Sequence, residues 1–417
     1  MEIYIVQLFY LLRPMLNAEL VQWGILGFNF FELVAILLFL ALAAAFAIKI
    51  LQKSREAVSH VEVWAALLIG WITISYIVHI EISSMTTYAK FVMPLATYIL
   101  LKRILPDRST HVRMIFLMLV GFLFPFIMSA IMTYRGEGIA QVVYHTGFER
   151  YKGAYANIHS MGHNTGFAIM ATFVYVALRK SQKVALRWSE IIVLSIIVSI
   201  GIYLLYAGQV RTAILGLVAF LVIASYFFDK RVLALLIVLS IALVAYFWSD
   251  VRMMFYDIIN PEDWGRDPEA VASGRKMMWT WALEFWREAP LLYQLTGMGV
   301  TVSGLPPLRQ PLFGTFVDGT IRPWPDPHND WLYVLLSLGL IGLAIFIGLF
   351  ASILRGILGI PGKEKFALLG LFVAIVIMVG ASNSYISNFT MFQMFLMLMV
   401  YVDLKSTEVE KKSQTKN

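Results

Sequence analysis

Apolar residues run along this chain in long blocks separated by short polar breaks. Taking about 20 apolar residues as one bilayer crossing, the pattern predicts eleven spans, near 25–48, 63–80, 86–101, 114–132, 162–178, 191–206, 212–228, 232–248, 330–354, 366–381 and 389–402. A further apolar run, Ile3 to Leu12, is closed by Arg13 and Pro14. It has neither a basic start nor a small-residue cleavage site, so it does not read as a signal peptide and is either an interfacial helix or a clipped twelfth span. Two connections are long, 133–161 and 249–329. Inside the second, Ser273–Ala289 with Trp279, Trp281 and Trp286 reads as an amphipathic helix at the membrane interface, and the Pro- and Gly-rich stretch from Gly297 to Pro327 reads as irregular. The expected fold is an all-α polytopic integral membrane protein with 11–12 transmembrane helices and a large loop containing amphipathic helices. Residues 1–248 would form the N-terminal membrane helices, 249–329 the loop, 330–404 the C-terminal membrane helices and 405–417 a disordered polar tail.

Composition sharpens this. Of 417 residues 59% are hydrophobic and 14% charged, where a soluble domain carries about 25% charged residues. With no cysteine, disulfides, thiolate zinc, iron–sulfur clusters and cysteine nucleophiles are excluded. The net charge of +7 is unevenly shared: one set of alternate loops carries 20 of the basic residues and nine acids, from Lys49 and Lys102 through Arg179, Lys230 and Arg355 to the tail lysines. By the positive-inside rule that side is cytoplasmic, so both long loops lie on the outer face and the charge implies no nucleic-acid partner.

Basic residues on the outer side run against the rule, and each needs a reason. Arg211 follows the tight turn Ala207-Gly208-Gln209-Val210 and opens a helix, where a cation opposes the macrodipole. It is either an arginine snorkelling to lipid phosphates or part of an anion site, since Arg pairs bidentately with phosphate oxygens. Arg275, after Ser273 and Gly274, opens the amphipathic loop helix and either balances Glu269 or Glu284 or binds the same anion. Arg150 and Lys152 form a third cluster, either solvated or functional, and Lys90 reads as snorkelling. Asn329 or Asp330 can cap the helix from Trp331 to Leu354, leaving His328 at its mouth, where the dipole favours a neutral imidazole able to accept a proton. A structural role for His328 stays open. Ser337, Gly339 and Gly342 read as positions of close helix packing. His159 and His163 are spaced to share a helix face, with His145 upstream, but no carboxylate pair completes a metal site, and HExxH, P-loop and GxGxxG patterns are absent.

Three segments resemble one family. His328-Asn329-Asp330-Trp331-Leu332 with Leu338-Gly339-Leu340-Ile341-Gly342-Leu343 is similar to the HNxxL…xGxxGL signature of the O-antigen ligase superfamily, which includes Wzy-type polysaccharide polymerases. Arg211-Thr212-Ala213-Ile214-Leu215-Gly216 resembles its RTAxLG element, and Ser273-Gly274-Arg275 with Trp279, Ala282 and Pro290 resembles SGRxxxWxxA. Arg150 to Asn164 resembles the RxxGxFxNPN stretch, with Tyr155 and Asn157 in frame but no Asn-Pro pair. The resemblance implies a GT-C-related, inverting, metal-independent and cofactor-free glycosyltransferase of the bacterial inner membrane. It would take a glycan from undecaprenyl diphosphate on the periplasmic face to lipid A core as a ligase, or to a lipid-linked glycan as a polymerase. Carried over by position, Arg211, Arg275 and Arg150 would hold the diphosphate, with Asn329, Gly274 and Lys152 in support, and His328 would activate the acceptor hydroxyl. A lipid-glycan transporter is the alternative of another class. It would place ionisable or helix-breaking residues deep in several spans.

Overall fold

The computed structural model describes residues 2–16, 24–25, 28–51, 58–79, 85–143, 148–227, 275–300, 314–317, 320–323, 327–382 and 389–414. The span expected at 232–248, together with His145 and Gly274, lies outside the described residues. Helices follow the hydrophobic blocks: α1 Glu2–Met15, α2 Phe30–Leu51, α3 His60–Val78, α4 Met85–Ile104, α5 Arg108–Tyr134, α6 Ile158–Ser181, α7 Trp188–Gly208 and α8 Arg211–Ala224. After the large loop's α9 (Arg275–Glu288) and α10 (Leu291–Thr296) come α11 (Asp330–Leu358), α12 (Glu364–Ala381) and α13 (Phe389–Gln414). Among the described residues α3, α5, α7, α11 and α12 are long and apolar enough to cross a bilayer, and Ile36–Ala47, Arg211–Ala224 and Phe389–Leu404 are shorter apolar segments. The protein is an all-α polytopic membrane protein.

Local chemistry sets the helix ends. Ser59 accepts a hydrogen bond from the Glu62 N–H while the Glu62 carboxylate accepts from the Ser59 N–H, a reciprocal cap that starts α3. Asp107 caps α5 by accepting from the Thr110 N–H at 2.8 Å. Partial burial pushes the Asp107 carboxyl up, but hydrogen bonds from Ser109 and Thr110 outweigh it and hold the group below its ordinary range. Where an all-helical pattern was expected, three small antiparallel hairpins also occur: Gly24–Ile25 with Phe28–Asn29, Ile139–Val143 with Phe148–Tyr151, and Gly314–Val317 with Thr320–Pro323. The polar tail is helical as far as Gln414. Glu408 stands three and four residues before Lys411 and Lys412, the spacing at which opposite charges support a helix.

The basic loops gather at one end of the bundle. Glu62 of α3 pairs with Lys102 and, at 2.6 Å, with Arg103, both at the end of α4. Asp403 near the end of the apolar part of α13 accepts from Ser59 and Tyr98 and lies 3.8 Å from Lys102. Arg179 at the end of α6 meets Glu190 at the start of α7 at 3.3 Å, and Gly356 of α11 packs on Val402 of α13. Lys180 at the end of α6 lies over Phe227, just past the end of α8, so the starts of α6, α8 and α13 lie toward the opposite end. The N-terminal run belongs to the bundle. Val6, Phe9, Tyr10 and Arg13 are buried, and the α13 partners shift from Met397, bonded by Tyr10, to Gln393 and Thr390, bonded by Arg13.

α11 is broken in the middle. Gly339 has φ +67°, in the left-handed region, between two helical halves. In a straight helix Trp331 would stand about 22 Å from Phe346 and about 28 Å from Phe350. Their ring centroids are 5.0 and 5.2 Å apart, so the first half folds back toward the second. This carries the N-terminus of α11 inward from Gly339 toward the middle of the bundle. The break releases backbone carbonyls, which would be costly at membrane depth. Leu336 O accepts from Met298 N–H at 2.9 Å, Ser337 O from Gly299 N–H at 3.2 Å, and Leu338 O from Trp71 Nε1 at 2.8 Å. Backbone approaches backbone here. A Cβ on Gly339 would lie 2.3 Å from Leu295 O, and one on Gly297 2.2 Å from Ser337 O. The expectation that Gly339 merely permits packing is corrected: it turns the chain. Gly342 does pack, against Trp71.

Candidate functional site

Three helix starts meet in the recess below the Gly339 turn. Asn157 caps α6 through its side-chain oxygen, which accepts from Ser160 N–H at 2.8 Å. One turn on, the buried His163 places Nε2 2.9 Å from Thr212 Oγ1, on the residue after Arg211. Gly162 permits the approach, since a Cβ there would lie 2.4 Å from Val210 Cβ. His159 stands between two other imidazoles, its ring centroid 6.2 Å from His163 and 6.0 Å from His328. His328, Asn329 and Asp330 lead into α11. Asn329 is the cap, accepting from Leu332 N–H at 3.2 Å, and Asp330 is buried in the first turn. His328 is half-buried with φ +49°, a conformation uncommon outside glycine, and it holds the ring beside the helix mouth.

The starts of α6, α8 and α11 therefore share one small region, each with partial positive charge from its outward N–H groups. The site is recessed: α8 at 14 residues rises about 21 Å from the basic end, whereas α5 at 27 residues rises about 40 Å. Arg211 thus stands well below the outer rim.

Arg150 also reaches this region. It lies on the second strand of the Ile139–Val143 hairpin, paired with Gln141. Its Nε donates to Gly208 O at 3.2 Å and an Nη to Gln209 O at 3.0 Å. Those carbonyls end α7, where a cation complements the dipole, and Gln209 sits at φ +49° to turn the chain into α8. Sequence placed Arg150 among the diphosphate ligands; in the structure its guanidinium holds the turn that presents Arg211. Lys152 donates to Ala156 O at 3.4 Å at the entry to α6. Beside it, Tyr151 donates to Glu149 at 2.5 Å, which raises the phenol pKa.

The large loop contributes through Trp279, whose Nε1 donates to Pro327 O at 2.9 Å, one residue before His328. Arg275 opens α9 one turn before Trp279. Of Arg275 the backbone is described, and Gly274 lies outside the described residues. Further along, α10 carries Tyr293, whose ring lies 5.9 Å from that of His79. His79 is partly buried, which lowers its pKa, partly offset by a hydrogen bond with the Gly297 backbone. Sequence had missed Thr212 as a partner of His163, Trp279 as the strut under His328, and the Gly297 segment. The one available signal was that Thr212 and Trp279 stand inside the RTAxLG and SGRxxxWxxA elements. Among the described residues no group of three or more His, Asp or Glu is arranged to hold a metal ion. The three histidines form a file instead, and His163 turns its Nε2 to a hydroxyl.

Arg211, the described part of the large loop, His328 and the Gly339 turn all lie in one continuous stretch of sequence. The family model for O-antigen ligases matches residues 196–347. The match supports the O-antigen ligase and Wzy-type polymerase superfamily, and with it a glycosyltransferase-like enzyme acting on lipid-linked glycans. Its limits enclose Arg211, Arg275 and His328, while Arg150, His159 and His163 lie before them. No curated protein matches the chain.

Proposed function

We propose that the chain is an inverting O-antigen ligase of the bacterial inner membrane, taking a glycan from undecaprenyl diphosphate to lipid A core on the periplasmic face without a metal. The observation that carries this reading is the meeting of three helix starts, Arg211 and the His328–His159–His163 file in a recess of the bundle. Converging helix N-termini and a guanidinium stabilise the negative charge that develops on a departing diphosphate. Membrane depth suits a lipid-borne leaving group. In the transfer, the acceptor hydroxyl oxygen bonds to the anomeric carbon as that carbon's bond to the phosphate oxygen breaks. The electron pair leaves on the lipid diphosphate, and the hydroxyl proton passes to the His328 imidazole. Arg211 and Arg275 hold the diphosphate, Arg150 positions Arg211, Asn329 and Gly274 support the helix starts, and Lys152 lines the approach.

The test gives the full chain, in vesicles, a lipid-linked repeat together with lipid A core. Transfer to lipid A core that persists in EDTA is expected. A ladder growing on undecaprenyl diphosphate would instead make the protein a polymerase, and relocation of the lipid with no bond change would make it a transporter.

A further inference from the structure

The connection between α6 and α7, at the basic end, has no part in that site. α6 closes through two backbone bonds, Val184 N–H to Arg179 O at 3.1 Å and Lys183 N–H to Lys180 O at 3.0 Å. This closure normally seats glycine in the left-handed position. Here Lys183 occupies it, with φ +57°. A charged side chain is kept where the backbone favours none, and such strain concentrates where a side chain has work to do.

Around Lys183 is a cavity of about 350 Å³ lined by Arg179, Lys180, Lys183, Val176, Val184 and Leu186. Glu190 is the only acid between Val176 and Ile192, and it is taken up by Arg179 at 3.3 Å, by Tyr175 OH at 3.0 Å and by Arg187 N–H at 2.9 Å. Arg179 donates also to Ala185 O at 3.0 Å, which fixes one wall. Lys180 lies over the Phe227 ring at 5.5 Å, and among the described residues neither Lys180 nor Lys183 is salt-bridged. Two residues past Leu186, Trp188 begins an exposed apolar stripe that continues through Ile191, Ile192 and Ile196, one face of α7. A cationic pocket thus heads an apolar stripe of the kind that acyl chains cover.

We propose that this pocket binds the phosphate of one anionic phospholipid from the leaflet at the basic end, with its acyl chains along the α7 stripe. Basic pockets between membrane helices recognise lipid headgroups in this way. Lys180 and Lys183 supply the charge, Arg179 with Glu190 sets the shape, and Trp188 lies at the boundary between headgroup and chain.

Native mass spectrometry of the full chain in detergent, titrated with phosphatidylglycerol or phosphatidylcholine, tests this. Wild type should retain one phosphatidylglycerol where phosphatidylcholine is stripped. Lys180→Gln with Lys183→Gln should weaken that binding about thirtyfold, roughly fivefold for each lysine. Lys183→Gly should lose its share of affinity while its melting temperature in phosphatidylcholine is unchanged or higher, which separates lipid recognition from folding. Equal retention of the two lipids, or an undiminished preference in the double variant, would overturn the proposal. Displacement by inorganic phosphate would overturn it too, by showing a bare anion site. Because the pocket is at the end away from His328, glycan transfer without lipid binding, or the reverse, tells the two readings apart.

Discussion

The two ends of this bundle handle charge in opposite ways. At the basic end, Glu62, Lys102 and Asp403 are almost wholly buried; the Glu62 carboxylate meets Lys102, Arg103 and the Ser59 N–H, and the Asp403 carboxylate meets Lys102 and the Ser59 and Tyr98 hydroxyls. The charges there satisfy one another across α3, α4 and α13. At the other end the contacts join imidazole to imidazole, imidazole to hydroxyl and guanidinium to carbonyl, beneath three helix starts. The first arrangement is complete in itself; the second is an electrostatic environment suited to a polyanion. Burial of polar groups alone therefore does not mark function in this molecule. The sign of what is assembled does.

The comparison can be broken most directly at His328. His328→Ala should lower the transfer rate by about 10²–10⁴-fold with little change in thermal unfolding, because the ring is at a helix mouth and not in the core. A variant of full activity would remove the chemistry from this end. The converse holds for Glu62→Ala, which leaves the buried Lys102 without its nearest carboxylate and should cost about 3–5 kcal/mol of stability. Turnover per folded molecule should stay at the wild-type level; selective loss of rate would join the two ends into one functional unit.

A smaller effect is expected at Thr212. Thr212→Val removes the hydroxyl that meets His163 and should cost about 1–2 kcal/mol of transition-state stabilisation, roughly tenfold in kcat. Thr212→Ser should restore it. No recovery in the serine variant would show that the methyl group, not the bond, matters. The smallest effect concerns pH. Burial holds the His79 pKa below its ordinary 6.5, so folding favours the neutral ring. Its contribution is present above 6.5 and is lost as pH falls through the lowered value. The melting temperature of wild type should then fall toward, or below, that of His79→Gln. A constant difference between the two would exclude His79 as the titrating group.

Much of this was legible in the sequence, for physical reasons. The apolar blocks are set apart by polar breaks, and the caps at Ser59, Asp107, Asn157 and Asn329 each bond a residue three further on, so most helices and their starts are written in local sequence. Arg211 and His328 stood out because each lies at such a start. The fold-back did not, because Leu336 to Leu343 is apolar on both sides of Gly339 and its partner segment lies about forty residues earlier. Arg150 is expected to hold the anion through the resemblance, and its bonds to the Gly208 and Gln209 carbonyls are with backbone, which leaves no compositional trace. The spacing of His159 and His163 puts them on one helix face with no carboxylate pair to complete a metal site, and only three-dimensional placement supplied Thr212 and His328 as their neighbours.

The Gly339 turn also bears on biogenesis. α11 carries no charge from Trp331 to Leu354 and would enter the bilayer readily as one straight rod. Folding it back exposes carbonyls that hydrocarbon cannot solvate, so the bend is tenable only once Met298 and Gly299 offer their amides. Those amides are synthesised before α11 leaves the ribosome. The order of translation thus delivers the receptor for the bend ahead of the helix that bends, and a permuted gene placing the loop after α11 should insert it straight, with His328 carried away from His159.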